Sequence, residues 1–248
     1  MLAKKKERLD KLLVERGIAQ SRERARALVM EGKVLVNDTM VDKAGTKVYV
    51  DSSLKLREET PPYVSRGGVK LAYALDEFKL RVQGKVVLDV GASTGGFTDC
   101  LLQRGAKKVY AVDVGYGQLA WKLQQDPRVI SLERTNIRHL DPREIHEKVD
   151  LAVVDTSFIS LTKVLPRVIE LIREKGEIVA LIKPQFEVEK GEVGKGGIVK
   201  DPIKHHRVIE KIKRLALLSN LEVVGLVESP ISGADGNKEF LMYLTSPS

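Results

Sequence analysis

The sequence predicts an α/β protein built on a mostly parallel sheet with one antiparallel strand, accompanied by a small α+β domain. Three observations carry this reading. Four short apolar, β-branched runs, "KVVLDV", "KVYAVDV", "VDLAVVD" and "GEIVALIK", are separated by helix-length segments, as expected for parallel strands covered on both faces. Two further runs, "LEVVGLVES" and "EFLMYL", follow one helix and are joined by a short turn, and a strand that returns through a hairpin-like connection runs antiparallel to its neighbour. The first 60 residues read differently, as two short helices and then short strands.

With 248 residues, 43% of them hydrophobic and 31% charged, the chain suffices for one large core and a satellite domain. In the satellite, "RLDKLLVERG" closes on Gly17, and "SRERARALVMEG" opens on Ser21 as its N-cap and ends at Gly32; these are ordinary helix start and stop signals. "KVLVND" then alternates like a strand. Residues 4–26 hold nine Lys or Arg against four acidic residues, within a chain of net charge +8. Such a basic excess points to an acidic partner, and nucleic acid is the usual polyanion. Paired prolines and then paired glycines in "EETPPYVSRGG" mark a linker. The expected division is therefore a domain over 1–60, a linker over 61–64 and a second domain over 65–248.

Some classes are excluded. No apolar run approaches the roughly 18 to 20 residues that span a bilayer, and "MLAKKKERLD" lacks the apolar core of a signal peptide. A cytoplasmic protein without a membrane partner is expected. Cys100 stands alone and the four histidines show no ligand spacing, so no metal is expected. Nothing in the residues bears on oligomeric state.

The second domain opens on "VSRGGVKLAYALDEF", an amphipathic helix with a lysine set into its first turn. At about 100° per residue, Leu71, Leu75 and Phe78 share one face and Lys70 lies at its margin. By itself this describes a lysine whose stem lies on apolar surface with its amine in water. The remaining strands change that weighting, because an open α/β sheet binds ligands at the carboxyl ends of its parallel strands. The first strand runs into "GASTGGF", where glycines let backbone approach a ligand and the next helix offers free N–H groups. The second ends at Asp113, the third at Asp155, and the fourth at Lys183 before Pro184. The antiparallel return brings Glu239 to the same edge. Lys70, Asp155, Lys183 and Glu239 together sum to zero charge, so they suit a partly desolvated cluster.

Ser93 breaks the G-x-G-x-x-G dinucleotide spacing, and "GEVGKGG" lacks P-loop spacing. "VLDVGASTGGF" followed by "VYAVDVG" resembles instead the S-adenosylmethionine site of class I (Rossmann-like) methyltransferases. An acid such as Asp113 there accepts hydrogen bonds from ribose hydroxyls. Cofactor contacts are accordingly expected at Gly91, Ser93, Thr94, Gly95, Gly96, Phe97, Asp113, Val114 and Asp155.

Over nearly its whole length the chain resembles the TlyA, or haemolysin A-like, family of FtsJ-like ribosomal RNA 2′-O-methyltransferases. "SRGGVKL", "VVDTSF", "LIKPQFE" and "NKEFLMYL" match that family's Lys-Asp-Lys-Glu tetrad at Lys70, Asp155, Lys183 and Glu239. Residues 4 to about 60 resemble the small RNA-binding domain named after ribosomal small-subunit protein four, which implies RNA contacts from Arg8, Lys11, Arg22, Arg24, Arg26 and Lys43. Domain order and "GKGGIVKD" also match, whereas "PPYV" in the linker is a local variation. The resemblance implies methyl transfer from S-adenosyl-L-methionine to the 2′-hydroxyl of a cytidine in small-subunit RNA, large-subunit RNA or both, with ribosomal RNA or subunits as partner. A lysine accepts the hydroxyl proton only when neutral, which its reference pKa of about 10.4 disfavours. Lys183 is assigned to accept the proton or polarise the hydroxyl, Asp155 to orient it, and Lys70 with Glu239 to position the ribose.

Three rivals are weighed. A pore-forming haemolysin, which the family name invites, lacks a membrane segment. A base methyltransferase of the exocyclic-amine class usually carries an N/D-P-P-Y-type motif where this chain has "DTSF", and Cys100 reads as a core residue rather than a nucleophile. A non-catalytic RNA-binding protein would bind RNA without cofactor.

Overall fold

The computed structural model describes residues 5–37, 39–56, 62–189, 191–233 and 236–247. The chain divides into two compact units, Met1–Thr60 and Pro61–Ser248. Of the expected linker 61–64, Pro61 lies outside the described residues.

In the first unit, β1 (Lys6–Arg8) leads into α1 (Leu9–Glu15), α2 (Arg22–Met30), β2 (Val34–Val36), β3 (Thr39–Met40), β4 (Lys47–Tyr49) and β5 (Leu54–Leu56). Strands β1 and β4 pair antiparallel, and β3, β2 and β5 form a separate antiparallel sheet. Ser21 caps α2, its Oγ accepting the Arg24 N–H at 3.1 Å. Gly17 and Gly32, at φ +69° and +68°, end the two helices in the left-handed region that favours glycine. Leu9, Leu12, Leu13, Ala25, Leu28 and Val29 meet Val34 and Val48 in a core of their own.

The second unit contains α3 (Gly67–Glu77), β6 (Val86–Val90), α4 (Gly96–Gln103), β7 (Lys108–Val112), α5 (Trp121–Gln124), β8 (Val129–Leu132), β9 (Val149–Val154), α6 (Leu161–Leu171), β10 (Ile172–Ile182), α7 (Pro184–Glu187), α8 (Pro202–Leu218), β11 (Glu222–Glu228) and β12 (Phe240–Thr245). Among the described residues they form a seven-stranded sheet of order β11-β12-β10-β9-β6-β7-β8. Neighbours from β10 to β8 are parallel, while β12 is antiparallel to both β10 and β11. Alternation along β6 shows why both faces are covered: Val86, Leu88 and Val90 pack with α6 and α8, and Val87 packs with Leu71, Leu75, Phe97 and Leu101 on the other side.

Strand β8 is absent from the sequence reading. Its four residues, "VISL", are only partly covered at the sheet edge, so the run is too short and too weakly apolar to stand out. Cys100 is buried on α4, as expected of a core residue.

The register positions the chemistry. Strands β6, β7, β9 and β10 finish at one edge, directly before Gly91, Asp113, Asp155 and Lys183. Ile182 lies opposite Phe240 in the β10–β12 pair, so Lys183 and Glu239 emerge side by side at that edge.

Candidate active site

Lys70 is 8% exposed. The sequence reading places it at the stripe margin and then in a partly desolvated cluster; α3 turns it inward, with Gly68 on the same helix packed so tightly that a Cβ there would lie 2.3 Å from Tyr63 Cγ. Its Nζ donates to Glu239 Oε2 at 2.5 Å. Glu239 is itself buried and backed by Gly233, where a Cβ would fall 1.9 Å from Glu239 Oε1. Lys183 Nζ lies 2.5 Å from Asp155 Oδ1 and donates to Ser157 Oγ at 2.9 Å. Asp155 Oδ1 is thus charge-compensated by Lys183. The four residues therefore form two cross-paired ion pairs.

Two clefts meet beside them. One, of about 440 Å³, is lined by apolar Val90, Val112, Ile137 and Val164 and by polar Asp113, Thr135 and Asn136. The other, of about 480 Å³, is walled by Arg66, Lys70, Thr94, Gly96 and Phe97. Gly91, Ser93 and Asp155 border both. Asp113 binds its own turn, accepting the Ser93 N–H at Oδ2 (2.8 Å) and the Gly115 N–H at Oδ1 (2.7 Å). At Gly91, φ is +87° and a Cβ would meet the Asp155 carbonyl oxygen at 2.4 Å, so the glycine turn is pressed against the end of β9.

Of the expected cofactor residues, Gly91, Ser93, Thr94, Gly96, Phe97, Asp113, Val114 and Asp155 line these clefts. Gly95 lines neither of these clefts, and a Cβ there would meet Leu123 Cδ1 at 2.2 Å and Leu119 Cδ1 at 2.8 Å. Its space is taken by the chain's own side chains, and its φ of +94° explains the glycine. Thr135 and Asn136, which follow β8, are not singled out by the sequence; recognising that strand would have pointed to its carboxyl end. Phe158, 90% exposed at φ +62°, gives no sequence signal either.

Asp89 lies under the glycine turn on β6, fully buried, with Oδ2 accepting from Thr98 Oγ1 at 2.6 Å and Oδ1 unpartnered. Burial pushes its carboxyl up to about 7, and the neighbouring charges of Asp155 and Asp113 act in the same direction against the Thr98 hydrogen bonds.

An apolar slot with the Asp113 carboxylate at one end, opening onto the Asp155 carboxylate that borders both clefts, fits a cationic nucleoside such as S-adenosylmethionine. Asp113, Thr135 and Asn136 would hold its nucleoside part, with Asp155 facing its positive charge.

In the first unit, Arg8, Arg22 and Arg26 converge on Asp10, which is fully buried. Arg8 donates from Nε and Nη2 at 3.0 Å each, and Arg22 Nη2 and Arg26 Nε each donate at 3.2 Å. The Arg8 hydrogen bonds, with those of Arg22 and Arg26, hold the Asp10 carboxyl well below the usual carboxylate range. Lys43 is exposed in the turn whose Gly45 packs beneath the Arg8 guanidinium. Lys11 stands apart, neutralised by Glu7 at 2.8 Å and Glu15 at 3.5 Å. Arg24 is exposed on α2 but not on the face shared by Arg22 and Arg26.

The profile of the FtsJ-like methyltransferases matches residues 63–246. The chain belongs to this family. An S4 domain matches residues 7–51. The 16S/23S rRNA (cytidine-2′-O)-methyltransferase TlyA of Mycobacterium tuberculosis is 47% identical over 238 residues, 96% of this chain and 89% of that protein. Hemolysin A of Brachyspira hyodysenteriae is 40% identical over 95% of this chain and 98% of its own. Among solved structures, a chain named as a candidate hemolysin from Streptococcus thermophilus superposes with a TM-score of 0.77 at 44% identity, covering 99% of this chain and 90% of that one. Among the described residues, no helix is long and apolar enough to cross a membrane.

Proposed function

We propose that this FtsJ-like methyltransferase transfers a methyl group from S-adenosylmethionine to the ribose 2′-hydroxyl of cytidine in ribosomal RNA, acting in the cytoplasm on 16S RNA, 23S RNA or both. The observation that carries the reading is the meeting of the Lys70–Glu239 and Lys183–Asp155 pairs with the nucleoside slot at Gly91, Ser93 and Asp155. When bound, the cofactor supplies a methyl group on a sulfonium. Lys183 is the group that polarises the acceptor hydroxyl or takes its proton. Asp155 and Ser157 hold Lys183 in place. Lys70, fixed by Glu239, donates to the ribose and sets its angle to the reacting carbon. Cys100, with its thiol pushed up to about 11 by burial, is no nucleophile, which disfavours carbon methylation of cytosine.

RNA recognition is divided between the units. The arginines around Asp10, with Lys43, present donors that suit phosphate, and guanidinium favours bidentate contacts. In the second unit, Phe158 and Phe186 lie 4.9 Å apart beside Lys183 and offer a surface on which an unstacked base can rest. Incubation with ribosomal subunits and labelled cofactor, followed by mass spectrometric mapping, should place the label on a cytidine ribose. Label on a base, or RNA binding without transfer, would overturn the assignment.

A further inference from the structure

Glu187 is 5% exposed, lies outside both clefts and touches neither ion pair of the site. A buried carboxylate needs donors, and this one draws them from two other helices. The Leu161 N–H donates to Oε1 at 2.6 Å and Ser160 Oγ to Oε2 at 2.6 Å, both at the start of α6. Lys211 on α8 donates to Oε2 at 3.0 Å and to the Glu187 carbonyl at 2.8 Å. Glu187 ends α7, the single turn that begins directly after Lys183. Four residues make no stable helix by themselves, so the direction in which Lys183 leaves β10 depends on what anchors the far end of that turn.

The other end of this connection is equally specific. The loop after β9 carries Asp155 and Ser157, the two partners of Lys183, and terminates at Ser160 and Leu161. One carboxylate thus holds the exits of both loops whose side chains meet at Lys183. We infer that Glu187, braced by Lys211, is a positioning residue that sets Lys183 against Asp155 and Ser157. The inference rests on Lys183 acting at the hydroxyl, as proposed above. A displacement of about 1 Å at a reacting group costs on the order of 10²-fold in rate, and glutamine at this position keeps the shape while removing the charge that Lys211 pairs with.

The test uses the full chain. Glu187→Gln should lower kcat by about 10- to 100-fold while KM for RNA stays within about twofold. The double variant Glu187→Gln/Lys183→Ala should be no slower than Lys183→Ala, because a residue acting through Lys183 has nothing left to position. A purely structural role would instead lower the active fraction in both backgrounds. Independently of turnover, the side-chain NMR signal of Lys183, assigned by its loss in Lys183→Ala, should shift in Glu187→Gln and in Lys211→Met. Unchanged kcat in Glu187→Gln, multiplicative losses in the double variant, or a Lys183 signal that does not move would each overturn the positioning role. Absence of methyl transfer by the unaltered protein would overturn the proposed function instead, and the NMR arm would still decide whether Glu187 places Lys183.

Discussion

Lys70 Nζ and Glu239 Oε2 lie 2.5 Å apart although 169 residues separate them in the chain. The contact closes the site from two directions, since α3 precedes the first strand of the large sheet and β12 is its last. Both side chains are nearly excluded from solvent, so each charge is tolerated because the other is present.

Removing one partner should therefore destabilise the second unit. Lys70→Met leaves the Glu239 carboxylate buried and unpaired, at a cost of about 3 to 5 kcal/mol. Lys70→Met/Glu239→Leu should recover much of that stability but no turnover. Urea denaturation of both variants checks this, and a loss below about 1 kcal/mol for Lys70→Met would show that the pair is not held in a dry environment.

Lys183→Ala separates chemistry from binding. Turnover should fall by roughly 10²- to 10⁴-fold, with cofactor and RNA affinity little changed because the slot and the arginine cluster are untouched. Single-turnover methylation alongside isothermal titration measures both. Retained turnover would move the proton acceptor to another group.

Gly91→Ala should abolish cofactor binding. Its Cβ would fall 2.4 Å from the Asp155 carbonyl oxygen at a backbone φ of +87°, which forces the glycine turn away from β9 and opens the junction of the two clefts. Titration of the folded variant with S-adenosylmethionine should give no heat. Gly95→Val is a less informative probe, because it would act by displacing Leu119 and Leu123.

Asp89 gives a pH signature. Its folded carboxyl titrates near 7, against 3.8 for the free group. Between those values the folded protein holds a proton that the unfolded chain has lost, so this residue's contribution to stability declines as pH rises from about 4 to about 7 and is flat above. Asp89→Asn removes the slope and should gain on the unaltered protein across that window, by up to roughly 4 kcal/mol between its two ends. A difference between the two proteins that is independent of pH would contradict the raised value.

The arginine cluster should announce itself through salt. Every phosphate that a side chain ceases to neutralise reduces the steepness of log affinity against log salt by about 1. Arg22→Gln/Arg26→Gln should thus flatten the RNA-binding slope by about 2 and leave cofactor affinity unaltered. An unchanged slope would mean that these side chains serve Asp10 alone.

Periodicity makes the fold class legible, because a parallel strand covered on both faces must be apolar throughout, and four such runs precede Gly91, Asp113, Asp155 and Lys183. From those ends, the general rule for open sheets places the site. Strand β8 escapes this logic: an edge strand buries little, so "VISL" carries little signal and the polar residues beyond it stay hidden. The helix caps at Ser21, Gly17 and Gly32 are local effects and are readable for that reason.

Side-chain partners are another matter. Composition shows four charges that sum to zero, but the pairing of Lys70 with Glu239 and Lys183 with Asp155 follows from the β10–β12 register and the inward turn of α3. The same holds where Asp10 gathers three arginines, and where Glu187 bridges two loops. The order of apolar and polar residues along the chain determined the strands, the helices and the edge at which the chemistry sits. Which ionic groups touch was decided only by tertiary packing, because a buried charge takes the partner that the fold brings within about 3 Å, whatever their separation in sequence.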